Sequence, residues 1–406
     1  MVAAPPHVHP ASISDPVLKP AMARSGLAGF LLSGILMSFL GAILPAWGYH
    51  IHTNALLVGS YFLAQFCGLL IPLALGGRLL RRKGLSFGLA LACGLACAGL
   101  LALASFSPPA HFAWRLGGLL LTGAGAGLLN MALFHAITPA YQLDPAATIN
   151  LGGTLFGLGC LLTALLVAGT FYAYSVWFIL VLVALPAAAG CWLYAFSRMP
   201  DDPIVRQPTW REALEDFKSP AAVLFTLLLF FQFGNEWALA GWLPLFISQR
   251  LGTSPSTSLL LLALYWLALI VGRFLTQFLL PRVSHTRLLV SAVFAPLFAC
   301  TVLAYTDNLF GIVTAVLFAG GGFAVIYPLV VEKIGSRFPY FHPGFYNGIF
   351  SIGILGGLLC PATLGLYAHF WGVGVVAGVP LLGTIMVFLL VLLILLEARL
   401  SGLPGA

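Results

Sequence analysis

Charge is what this chain has least of. Only 7% of its 406 residues are Asp, Glu, Lys or Arg, against roughly a quarter in an ordinary soluble domain. A water-facing surface cannot be assembled from that inventory, which excludes a soluble enzyme. Carboxylates are scarcest in the first half, where the apolar runs before residue 198 hold none. Organised cysteine is missing too. Cys67, Cys93, Cys97, Cys160, Cys191, Cys300 and Cys360 all fall within apolar runs, at spacings that match neither a metal site nor a secreted disulfide framework. They read as buried free thiols. No nucleotide-binding loop or nucleophile–base pattern stands out, the histidines are scattered, and His135 reads as an interfacial residue. The expectation is therefore no catalytic residue, no metal and no cofactor. A net charge of +7 is spread over short links instead of a folded basic patch, so nucleic acid is not an expected partner.

What is present is apolar: 61% of the residues are hydrophobic. A helix crossing the ~30 Å hydrocarbon layer needs about 20 mostly apolar residues, with every backbone polar group satisfied inside the protein. Twelve runs meet that need, at 25–49, 55–77, 85–107, 113–136, 148–172, 173–197, 220–248, 255–280, 286–306, 309–331, 344–366 and 371–396. The 45 glycines and 26 prolines suit helices that pack closely and move.

Residues 1–24 lack the basic start, short apolar core and cleavage site of a leader peptide and read as a tail. A six-helix bundle is predicted over 25–197, a central loop over 198–219, a second bundle over 220–396 and a short tail over 397–406. Within the central loop, WREALEDF has the pattern of a surface amphipathic helix. With both termini placed in the cytoplasm, fifteen Lys and Arg fall on that side. Arg115 and Arg250 fall outside, and Arg273 is embedded. This bias fixes the expected orientation.

The halves repeat. A shift of 204 lays Tyr61, Gly68 and Arg78 over Tyr265, Gly272 and Arg282. A shift of 197 lays Gly123, Gly125, Asn150 and Gly159 over Gly320, Gly322, Asn347 and Gly356. Two consistent offsets indicate duplication, and transporters with two such halves bind solute between them near the midplane.

The twelve spans, central loop and duplicated halves resemble the major facilitator superfamily over essentially all of residues 25–396. The segment FFQFGNEWALAGWLPLFISQRLG (230–252) is similar to the seventh helix of its fucose-permease-like, sugar–proton symporter branch, through Gly234, Glu236, Gly241, Trp242, Leu243 and Pro244. The resemblance implies an all-α membrane protein of two pseudo-symmetric six-helix bundles that moves a small solute by alternating access. Departures accompany it. The loop GGRLLRRKG (76–84) lacks the superfamily's aspartate, and the first half lacks the branch's coupling carboxylates.

Glu236 is the one carboxylate deep within a run. A charge in hydrocarbon is costly, so it faces a cavity, a partner or water. It is the candidate for carrying a proton; the alternative is that it braces its helix. Gln232, Asn235 and Trp242 lie near it in helical projection, and amides, a carboxylate and an indole suit a polyhydroxylated ligand. Further candidate contacts are Gln65, Asn130, Asn150, Tyr265, Trp266, Tyr327 and Asn347, each equally able to serve helix-to-helix hydrogen bonding. Arg273 reads as part of a gate, as an ion-pair partner or as a contact for an anionic solute, while Arg78 and Glu332 read as gate residues. A sugar or polyol is the expected solute, with protons and the lipid bilayer as the other partners and a monomer in a bacterial inner membrane as the working form. Efflux of amphipathic compounds and a non-transporting receptor or scaffold are the alternatives.

Overall fold

The computed structural model describes residues 18–52, 54–143, 145–197, 217–280, 282–338 and 348–400. Asn347 and most of the WREALEDF segment lie outside them. The described residues form twelve helices: α1 (Leu18–Ala46), α2 (Ala55–Lys83), α3 (Leu85–Ser105), α4 (Phe112–Leu143), α5 (Pro145–Thr170), α6 (Val176–Phe196), α7 (Pro220–Leu251), α8 (Pro255–Leu279), α9 (His285–Tyr305), α10 (Leu309–Arg337), α11 (Gly348–Trp371) and α12 (Val375–Leu400). All twelve contain a stretch long and apolar enough to cross a membrane.

The apolar runs locate the helices but understate their length. Helix α2 continues through Arg78 to Lys83, α4 to Leu143 and α10 to Arg337. Once a helix is nucleated inside the bilayer, each added residue satisfies one more backbone group, so the helix runs on into the polar interface. Arg81, Arg82 and Lys83 also occupy the last turn of α2, where cations meet the negative end of the helix dipole. The predicted tail shortens correspondingly, because α1 begins at Leu18. Helix ends carry recognisable signals. The side chains of Asn54, Ser254 and Asn308 accept from the backbone N–H three residues on. Gly84, with φ +82°, makes the left-handed break that lets α3 start one residue after α2 ends.

Helices α1–α6 pack chiefly among themselves, as do α7–α12, giving two bundles. Small residues set the spacing. An added methyl at Gly159 would sit 2.0 Å from the Leu31 carbonyl oxygen on α1, and one at Gly356 would sit 1.9 Å from that of Phe230 on α7. The same contact is thus built in each half. Gly123 abuts the Gln65 carbonyl and Gly320 that of Tyr265, so α2 and α8 correspond at a separation of 200. The sequence match at 204 is displaced by one helical turn, an easy slip between apolar helices whose faces repeat about every four residues.

The bundles meet through α5 against α8, α2 against α11 and α1 against α7. The two sides of the membrane differ along this junction. On the side opposite the 197–217 connection, Gly41 of α1 lies against the backbone of Ala240 and Gly241, and Gly59 of α2 against Gly365 of α11. Phe62 stacks on Trp242 with ring centres 6.1 Å apart. The bundles are sealed there, and between mid-span and the connection side they part to leave a cavity.

Candidate functional site

The cavity has a volume of about 170 Å³. Its wall draws on both bundles. The first supplies Met37, Asn130, Phe134 and Phe156, and the second Phe233, Glu236, Trp237, Arg273, Tyr327 and Leu358. Helix α7 presents Phe233, Glu236 and Trp237 because residues three and four apart share a face. Glu236 is only 7% exposed. Gln232 and the Arg273 guanidinium lie within its electrostatic reach, although no ion pair within 4 Å joins Glu236 to Arg273.

Arg273 is 6% exposed. Its guanidinium crosses the bundle junction and rests on α5 at Gly153, where an added methyl would lie 1.6 Å from Nη1. Its Nε and Nη1 atoms are buried without an acceptor. The α5–α8 junction beneath it is braced by Asn150, whose amide donates to Gln277 Oε1 (3.1 Å) and to the Arg273 carbonyl (3.5 Å).

Of the other expected contacts, Asn130 and Tyr327 also reach the wall. Asn130 accepts from Ser33 Oγ at 2.8 Å and donates to the Ala126 carbonyl, so it ties α1 to α4 at the cavity's edge. The Tyr327 ring packs 5.1 Å from Phe233. The remaining candidates lie behind the wall. Gln232 donates to the Phe323 carbonyl on α10 at 3.5 Å. Asn235 is turned towards Gly383 of α12, because one residue's step from Glu236 rotates it 100° around the helix. Trp242 belongs to the seal, its indole N–H donating to the Pro361 carbonyl at 2.9 Å. Gln65 donates to the Leu36 carbonyl at 3.2 Å and joins α2 to α1. Tyr265 and Trp266 are fully buried against one another, ring centres 5.1 Å apart, with the Trp266 indole 6.2 Å from Trp237.

The expected gate residues separate. Arg78 is exposed on α2, while Glu332 pairs with His285 at 2.8 Å, a contact between α10 and α9 inside the second bundle. Sequence reasoning passed over the aromatic floor made by Phe156, whose ring lies 5.8 Å from Trp237, and over Gly153. The glycine run of α5 offered a signal for close packing, but not for its partner.

The family profile of the Major Facilitator Superfamily matches residues 145–361, more than half of the chain. The chain belongs to this superfamily. It is a membrane transporter with the superfamily's twelve-helix fold. Among solved structures, a D-xylose–proton symporter superposes with a TM-score of 0.73 at 16% identity, over 93% of this chain and 97% of that one. The E. coli fucose:proton symporter superposes with a TM-score of 0.64 at 14% identity, over 93% and 99%. At such identities the likeness is one of fold. A Saccharomyces cerevisiae relative, Bypass of stop codon protein 6, is 23% identical over 89% of this chain and 79% of its own length.

Proposed function

We propose that this superfamily member moves a small polyhydroxylated solute by alternating access, that the cavity between the bundles is its binding site, and that Glu236 carries the coupled proton. The observation that carries the reading is a buried carboxylate on the wall of a space that both bundles enclose. Asn130 and Tyr327 offer hydrogen bonds to hydroxyl groups, and the Trp237 and Phe156 rings offer an apolar surface for the C–H face of a sugar-like ring. Symporters of xylose and fucose share the fold. In the orientation expected from the Lys and Arg bias, the termini and the 197–217 connection are cytoplasmic, and the structure is the inward-facing member of the transport cycle.

Proton uptake by the Glu236 carboxylate at one membrane face and release of that proton at the other would link the solute to the proton gradient. Glu236→Gln should therefore abolish accumulation driven by a pH gradient in proteoliposomes while retaining exchange of labelled for unlabelled solute. Undiminished accumulation in this variant would reject the coupling role. The wall's Phe30, Met37, Phe134 and Phe233 favour a second reading, transport of an amphipathic compound. A thermal-shift panel of sugars, polyols and amphipathic cations separates the two.

A further inference from the structure

Resting on the reading of this cavity as the solute site, we infer that the solute is a hydroxylated carboxylate of the sugar-acid class, and that Arg273 receives its carboxylate.

A guanidinium stays charged at any physiological pH and presents five donors in a fixed fork. Arg273 is 6% exposed, two of its nitrogens are buried without an acceptor, and no carboxylate among the described residues lies within ion-pair distance. A buried arginine is ordinarily paired, because an uncompensated interior charge is strongly destabilising. Nor is its position an accident of a loose side chain. Gly153 leaves a gap on α5 that a methyl group would fill to within 1.6 Å of Nη1. Asn150 fixes the α8 backbone at Arg273 itself.

Charge arithmetic narrows the ligand. Among the described residues, Glu236 and Arg273 are the only charged ones lining the cavity. The groups that face Glu236 and Arg273 from neighbouring helices are uncharged at neutral pH: Cys160 on α5, Tyr265 on α8 and Tyr327 on α10. Gln232 stands behind Glu236 on α7 itself. With Glu236 ionised, the two wall charges sum to zero though they form no close pair. A proton on Glu236 leaves the guanidinium with a full unit of charge to be met, and one carboxylate meets it. A phosphate ester carries about −1.5 to −2 near neutral pH and would need a second cation that the wall does not supply. The rest of the wall, Asn130, Tyr327 and the Trp237–Phe156 surface, suits hydroxyl groups and a ring. Proton and monoanion together carry no net charge, so the solute-loaded step is electroneutral. Symport of a neutral sugar with a proton would carry one charge.

The test uses the full chain in proteoliposomes, with D-glucuronate, D-galacturonate and D-gluconate set against D-glucose, D-galactose and D-sorbitol. Uptake of at least one acid should follow an imposed pH gradient and be indifferent to a potassium diffusion potential set with valinomycin. Arg273→Gln should weaken binding of that acid by about tenfold or more, as expected for loss of a charge-assisted pair. Arg273→Lys should recover part of it, and Glu236→Gln should strengthen acid binding at neutral pH. Binding or uptake of the neutral compounds alone, or potential-driven uptake of the acid, overturns the carboxylate assignment and leaves the cavity reading standing. If neither group binds by thermal shift or moves, both readings fall. Should Arg273→Gln fail to give a monodisperse protein, Gly153→Ala serves in its place, since its methyl displaces the guanidinium. Unchanged acid affinity in that variant counts against the assignment.

Discussion

The two bundles share an architecture and divide the chemistry. Among the described residues of the cavity wall, the first contributes aromatic and aliphatic side chains, small residues and one amide, with no ionisable group, whereas the second contributes Glu236, Arg273 and Tyr327. Equivalent close approaches occur at Gly159 in the first and Gly356 in the second. Among the described residues only the second bundle puts charge on that wall, so the first bundle acts as a shaped partner surface against which the charges of the second are held.

That division can be broken in order of severity. Replacing Glu236 by Gln removes the one carboxylate on the wall, and pH-driven accumulation should fall to the level of empty liposomes. Gly41→Val comes next. A single methyl there would approach Ala240 and Gly241 to about 3 Å, and a branched side chain cannot be housed. The seal should part, raising maleimide labelling of a Phe62→Cys reporter in an otherwise cysteine-free background several-fold. Labelling that does not rise would show that the Gly41 contact does not hold the face shut. Gly153→Ala lies in the bundle whose share of the wall is uncharged yet strikes a charge of the other, so solute affinity should drop about tenfold with little change in melting temperature. Such a result would show the first bundle acting through Arg273. The smallest effect belongs to Asn130→Ala. It removes the Ser33–Asn130 hydrogen bond, and interhelical bonds of this kind average about 0.6 kcal/mol. Solute affinity should change a few-fold at most, and a loss as large as that of Glu236→Gln would dissolve the contrast between the halves.

Helix number and approximate position were legible because bilayer thickness imposes a length on every apolar run. Glu236 was legible for a related reason: a lone carboxylate amid twenty apolar residues is costly unless something faces it. Which way α7 faces was not. Asn235 and Gln232 lie within one turn of Glu236, yet they point to Gly383 and Phe323, since a helix that is apolar all round gives no periodic signal for its cavity side. The meeting of Gly153 with Arg273 was equally hidden. It joins residues of different bundles through an absent side chain, and a missing Cβ leaves no mark in a glycine-rich helix. Arg78 lies within α2 and is exposed, while Glu332 is held by His285 of its own bundle.

The seam at Gly41 and Gly241 has a thermodynamic corollary. Backbone contacts, one aromatic pair and the neutral Ser256–Ala168 hydrogen bond lie across that face, and among the described residues no ion pair spans it, so separating the halves strips no ion of a partner and rehydrates none. Its opening free energy should be nearly the same in dilute buffer as in molar salt, which leaves the occupancy of the distant cavity, and not the ionic composition of the medium, to set the direction in which the molecule rocks.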